Sequence, residues 1–134
     1  ELLGLSGNTI FLNFIENTAL NKYYRLADVF VMPSMTTITW EDQFPFAVIE
    51  AMASGLPVIV TNSGGMPELI DDVGRIYPQG NYRELARYLF EILADDGLRK
   101  TMAVKSRQRA EEMFNNKKNS LKIFEVFKKV TGLA

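Results

Sequence analysis

The stretch FAVIEAMASGLPVIVT, residues 46–61, constrains the fold more tightly than any other part of the chain. Its first half has the spacing of a short helix. Gly55 and Pro57 then follow, a pairing that stops a helix within a few residues. The second half, PVIVT, is apolar at nearly every position. A strand with one wet face alternates polar and apolar residues, whereas a strand covered on both faces does not have to. The run therefore predicts a strand inside a parallel sheet with helices on both sides. Parallel neighbours need crossover connections, so the same pattern predicts βαβ units of right-handed sense.

The rest of the chain repeats this alternation. NTIFLNF, residues 8–14, reads as a short strand from its β-branched and aromatic content. A helix follows, with Asn17 as its expected cap and Leu20, Tyr23, Tyr24 and Ala27 on one face. DVFVMP predicts a strand over 28–32 closed by Pro33, and residues 34–45 lack any period and read as a loop. A helix is expected from about Phe44. After PVIVT the chain turns through Gly64 and Gly65 into a short helix with Pro67 near its first position, and GRIYP predicts a last strand. Beyond it, Asn81 and Glu84 have capping-box spacing, and residues 81–131 read as helix almost throughout. Stripes of Leu98, Met102, Arg109 and Met113, then of Ile123, Val126, Phe127 and Val130, are expected to pack. The chain is thus one α/β unit over 1–134, with a strand-and-helix core at 8–78 and C-terminal helices at 81–131.

Composition narrows the chemistry. The 134 residues include no Cys and no His, so thiolate metal sites, Cys nucleophiles and His bases are excluded within this stretch. Carboxylates, hydroxyls, Lys, Arg and backbone amides remain. A net charge of −1 gives no global field for nucleic acid or an anionic membrane. No apolar run is long enough to predict a spanning helix. The chain opens on Glu1, and ELLGLSGN reads as the end of an element, so a longer protein is expected.

In open parallel sheets, ligands bind beyond the carboxyl ends of the strands. The loops expected there are 13–17, 33–45 and 61–66. The second brings Asp42 to a helix start, where an acid serves either as a cap or as a ligand group. Glu50 lies about two turns into that helix among Val48, Ile49, Met52 and Ala53. A buried unpaired carboxylate costs several kcal/mol, so Glu50 must be paired, solvated or used. Its two oxygens suit the vicinal hydroxyls of a ribose. Gly64 and Gly65 fit either a tight turn or a cradle for phosphate or sugar hydroxyls.

Taken together, these segments resemble the nucleotide-binding half of a GT-B glycosyltransferase of the group called glycosyl transferases group 1, or family 4. NTIFLNFIENTALNKYYRLADVFVMPS is similar to that family's passage ending A-D-V-F-V-x-P-S. DQFPFAVIEAMASGLPVIVTNSGGMPELI resembles its signature: an acid, seven residues, a Glu, then E-A-M-A-x-G-x-P-V-I and G-G-x-x-E. VGRIYPQGNYRELARYLFEILADDGLRKTM is similar to its G-x-x-x-x-P-x-G strand and following helices. The resemblance implies a Rossmann-like parallel sheet, the C-terminal half of a GT-B fold without its first strands, ending in helices.

The family's roles carry over position by position. Glu50 matches the Glu that holds the ribose hydroxyls, and Asp42 the acid that contacts the donor sugar. Phe44, Pro45 and Phe46 match the turn whose backbone meets the sugar and diphosphate. Asn13, Phe14 and Ile15 match a loop near the base, and Gly64, Gly65 and Glu68 match the second glycine turn and its acid. Asp42 is one methylene shorter than the usual Glu, roughly 1.5 Å of reach. Pro45 and Asn13 stand where Gly is frequent. Glu41 lies nine positions before Glu50 and breaks the spacing.

The implied activity is retaining transfer from a nucleoside-diphosphate sugar to an acceptor hydroxyl, of hexosyltransferase type. No metal or cofactor is implied, and the donor phosphate assists deprotonation while the protein positions and stabilises charge. An N-terminal domain with the acceptor site, and opening strands with the Arg and Lys that clamp the diphosphate, are implied to lie outside this stretch, which alone is expected to be inactive. The implied location is cytoplasmic, with any contact to the inner face of a membrane made through other parts. No nucleic-acid partner is implied. A non-catalytic binding module of the same fold is the alternative. A signalling-receiver domain is disfavoured because no acidic cluster falls at the strand ends.

Overall fold

The structure, a computed structural model, describes residues 4–132. Its sheet has three parallel strands in the order β1 (Phe30–Met32), β2 (Val58–Thr61), β3 (Arg75–Tyr77). Val31 pairs with Ile59, and Val60 with Ile76. Helices α1 (Asn17–Leu26), α2 (Phe46–Ala53) and α3 (Met66–Ile70) precede or connect these strands. Then come α4 (Tyr82–Ala94), α5 (Asp96–Met113) and α6 (Asn116–Thr131).

The apolar run VIVT is buried at all four positions, as expected of a strand covered on both faces. Side chains alternate across a strand, so β2 feeds two cores. Val58 and Val60 join Val48, Ala51, Met52, Met66, Leu69 and Ile70 from α2 and α3. Ile59 turns the other way and meets Tyr77, Ile92 and Met102, with Leu85, Leu89 and Leu98 around them. Helix α5 spans both layers, contributing Met102 to the second core and Ala110 to the first.

Local signals end the elements as the sequence predicts. Leu56 N–H donates to Ala51 O at 3.1 Å and Gly55 N–H to Met52 O at 2.9 Å, a Schellman closure of α2 with Gly55 at φ +78°. Asn81 Oδ1 accepts from Glu84 N–H at 3.2 Å and so caps α4. The return half of the capping box is different: Asn81 Nδ2 reaches Glu84 Oε2 at 3.3 Å.

Four expectations fail. Residues 9–16 form no strand and follow a single 3-10 turn at Ser6–Asn8. Phe11 and Phe14 are each 92% exposed. A strand forms by pairing, and the outer edge of β1 carries no partner strand among the described residues. Helix α1 starts at Asn17 itself, with Glu16 at the cap position and no side-chain cap bond. Helix α2 begins at Phe46, two residues later than expected. The α6 stripe of Ile123, Val126, Phe127 and Val130 is exposed, and no described residue of that helix is buried.

Candidate functional site

The site grows from the carboxyl ends of β1 and β2. Pro33 closes β1, and Ser34 directly after it donates its hydroxyl to Asp42 Oδ2. Ser34 is itself pinned, because the buried Thr61 hydroxyl at the end of β2 donates to Ser34 O at 2.7 Å. The main chain of Asp42 is held from the turn that follows β2: Gly65 N–H donates to Asp42 O at 3.1 Å. A Cβ on Gly64 would lie 1.9 Å from Asp42 O, and one on Gly65 would lie 2.2 Å from Gln43 O. The glycine pair is therefore a docking surface for the acidic loop, and Gly65 has spent its amide there. Asp42 does not cap α2; Pro45 occupies the cap position and no side chain caps that helix. Half-buried and tied at side chain and backbone, Asp42 has one carboxylate oxygen left for another partner.

Neighbouring loops are tied into the same edge. The Thr36 and Ser63 hydroxyls lie 2.7 Å apart, and Thr36 N–H donates to Gln79 Oε1 at 2.8 Å. Gln79 N–H donates to Asn62 Oδ1 at 3.0 Å. Residues following all three strands thus share one hydrogen-bonded rim. Glu41 is exposed and accepts from the Thr36 hydroxyl of this rim and from Gln43 at 3.4 and 3.2 Å.

Glu50 sits on the exposed side of α2, while Val48, Ala51 and Met52 face the core. The penalty for a buried charge is thereby avoided. Its Oε2 accepts a hydrogen bond from the Tyr24 hydroxyl at 3.0 Å. Tyr24 projects from α1 and packs edge-on to Phe30 of β1, ring centres 5.9 Å apart. Burial and the adjacent Glu50 carboxylate push the Tyr24 phenol up to about 12, so it keeps its proton as a donor. Neither Asp42 nor Glu50 has an ion-pair partner among the described residues.

The turn between the acids is aromatic. Pro45 is buried, Phe44 is half exposed, and Phe46 is 70% exposed. Phe44 packs edge-on against both Phe46 and Phe114 at 5.8 and 5.7 Å. Phe44, Gly65 and Glu68 line one open groove of about 530 Å³, together with Arg109 and Phe114. Asp42 and Glu50 do not line this groove. Arg109 is no mere member of a packing stripe. Its guanidinium donates to Glu68 O at 2.7 Å and Leu69 O at 2.8 Å and pairs with Asp71 at 3.1 Å, capping the end of α3.

Asn13, Phe14 and Ile15 are not brought to this rim by any hydrogen bond among the described residues. They lie in the unpaired segment, Asn13 and Phe14 exposed and Ile15 partly so. The expected loop at 13–17 therefore does not follow a strand end. No group of three acidic side chains gathers closely enough to hold a metal ion among the described residues.

Sequence reasoning passed over Ser34, Thr61 and the hydroxyl of Tyr24. Ser34 and Tyr24 stood within the quoted motif, but a hydroxyl's partner depends on contacts far along the chain. Tyr24 and Glu50 are 26 positions apart.

Comparison with known proteins gives the family and the fold. The sequence model of the family "Glycosyl transferases group 1" matches residues 1–109. An uncharacterised glycosyltransferase of Methanocaldococcus jannaschii is 30% identical over 136 aligned residues, covering 97% of this chain and 33% of that protein. Sucrose-phosphate synthase from Thermosynechococcus elongatus superposes with a TM-score of 0.83 at 28% identity, covering 97% of this chain and 32% of the other. The C-terminal domain of a glycosyl transferase group 1 family protein from Francisella tularensis superposes with a TM-score of 0.74 at 27% identity, covering 86% of this chain and 58% of the other. The chain spans between a fifth and a third of the length of the curated relatives it matches, 20% to 33%. The three-stranded parallel sheet, its covering helices and the terminal helices are those of a GT-B glycosyltransferase, and the chain belongs to the glycosyl transferases group 1 family.

Proposed function

We propose that this chain is the donor-binding portion of a retaining glycosyltransferase of carbohydrate biosynthesis, hexosyltransferase-like, that uses a nucleoside-diphosphate sugar. One observation carries the reading: Glu50 offers an exposed carboxylate, held at one oxygen by Tyr24, on the helix that follows the acidic loop. A fixed, unpaired carboxylate is suited to accept two vicinal hydroxyls of a ribose. Asp42, anchored on the strand ends, is the sugar contact. Backbone of Phe44, Pro45 and Phe46 and of the Gly64–Gly65 turn lies toward sugar and diphosphate, with Glu68 beside it and Asn13, Phe14 and Ile15 toward the base. In this arrangement the protein orients the donor and stabilises charge on the leaving diphosphate, with no protein nucleophile and no cofactor.

The acceptor site and the cations for the diphosphate belong to an N-terminal domain and strands of the complete protein, which acts in the cytoplasm. The 134-residue piece alone is inactive in this reading. Calorimetry on the complete protein tests it. Glu50→Ala should weaken nucleoside-diphosphate-sugar binding about 10- to 100-fold, the loss of charge-assisted hydrogen bonds worth about 1.5–3 kcal/mol. Unchanged donor affinity in a folded variant overturns the role of Glu50. A second reading has its own support, since Asp42 is short and already engaged by Ser34. Donor binding without turnover on any acceptor would favour a non-catalytic module.

A further inference from the structure

We propose that Tyr24 is a positioning residue that sets the Glu50 carboxylate for a ribose diol, which makes ribose over deoxyribose selectivity a joint property of α1 and α2. The inference rests on the reading of Glu50 given above and extends it to a residue on a different helix. Glu50 stands on the exposed face of α2, where a Glu side chain has several rotatable bonds and, among the described residues, no ion-pair partner to fix it. A carboxylate that must meet two hydroxyls at once loses affinity if it wanders. The hydroxyl of Tyr24 at 3.0 Å from Oε2 supplies the missing restraint.

Tyr24 is itself rigid. Its ring lies edge-on against Phe30 at 5.9 Å and packs on the core that contains Val48 and Met52 of α2. The phenol is pushed up to about 12 by burial and by Glu50, so it keeps its proton and can donate it to the carboxylate. Tyr24 fills one acceptor position on Oε2, and the other oxygen and the remaining lone pairs are left for a ligand. Deleting only the phenol oxygen leaves the ring packing in place, which separates positioning from structure.

The test uses the complete protein and three probes, UDP, GDP and ADP, each paired with its 2′,3′-dideoxy counterpart. For the nucleotide that binds the parent, the ribo form should bind about 10- to 100-fold tighter than the dideoxy form. Glu50→Ala should abolish that preference. Tyr24→Phe should reduce it about 3- to 10-fold, through weaker binding of the ribo form, with dideoxy binding unchanged. An equal loss for both forms would mark Tyr24 as merely structural and overturn the proposal. A Tyr24→Phe variant with the parent's preference, alongside a Glu50→Ala variant that has lost it, would overturn the positioning role and leave the donor reading standing. Failure of all three nucleotides to bind the parent, or no preference for ribo over dideoxy in the parent, would overturn both.

Discussion

Two carboxylates eight positions apart end in different surroundings. Asp42 is half-buried and fastened at two points, side chain and main chain, whereas Glu50 is exposed and fastened at one. That difference separates their expected effects. Asp42→Asn should impair transfer far more than nucleoside-diphosphate binding if Asp42 is the sugar contact proposed above, because its loop stays pinned through Asp42 O. Steady-state kinetics beside calorimetry with the sugar-free nucleotide checks this; equal loss in both would contradict it. Tyr24 also gives a pH dependence with a definite sign. Its phenol is pushed from 10.0 up to about 12 in the fold, chiefly by burial. A group raised in this way contributes its full stability below its unfolded value and loses it as pH rises through the folded one. The stability difference between the parent and Tyr24→Phe should therefore stay level below about pH 10 and shrink between about 10 and about 12. Urea titrations across that window measure it.

Among elements, the turn from β2 into α3 carries the most tightly specified contact. The glycines were legible in the sequence as a permissive turn. What they permit, the approach of a loop more than twenty residues earlier, was not legible, because it depends on β1 and β2 lying side by side. Gly64→Ala adds a Cβ 1.9 Å from a backbone oxygen at a residue with φ +53°. It should cost about 1–3 kcal/mol of stability by the usual scale for overpacking and should displace the Asp42 loop. Thermal unfolding and transfer rate should both fall, and an unchanged melting temperature would show that the turn yields freely. Similarly, Arg109 looked like part of an apolar stripe at helical spacing, yet it caps α3. Periodicity assigns a residue to a face but does not say whether that face ends on a core or on open carbonyls.

At the scale of the molecule, the described fold has surface left to cover. Its accessible area is 9889 Å², against about 7,100 Å² for a compact monomer of this mass. The excess has visible sources. Phe127 of α6 is 63% exposed and Val130 81%, and Ile10, Phe11 and Phe14 stand exposed in a segment that forms no strand. An amphipathic helix draws most of its stability from packing, not from propensity. In these 134 residues alone, the amides of α6 should thus exchange with solvent much faster than those of α5, which buries Met102, Ser106 and Ala110. In a longer chain that carried the proposed N-terminal domain, α6 should become protected. Hydrogen exchange followed by mass spectrometry tests both expectations, and strong α6 protection in the 134 residues alone would refute the first.

The sequence by itself determined the strands β1 to β3, the helices between and after them, the Schellman stop of α2, and the family through its motifs. Those features rest on local chemistry: turn residues, capping side chains and runs of apolar residues whose period follows from backbone geometry. It also marked Asp42 and Glu50 through their spacing. Only the tertiary structure decided that 8–14 has no strand to pair with, that α6 faces solvent, that Gly64 and Gly65 receive the acidic loop, and that Ser34 and Tyr24 each hold a carboxylate. Each of these is a pairing between residues far apart in the chain, and the partner of a strand edge, a glycine face or a hydroxyl is fixed only when the sheet brings it within bonding distance.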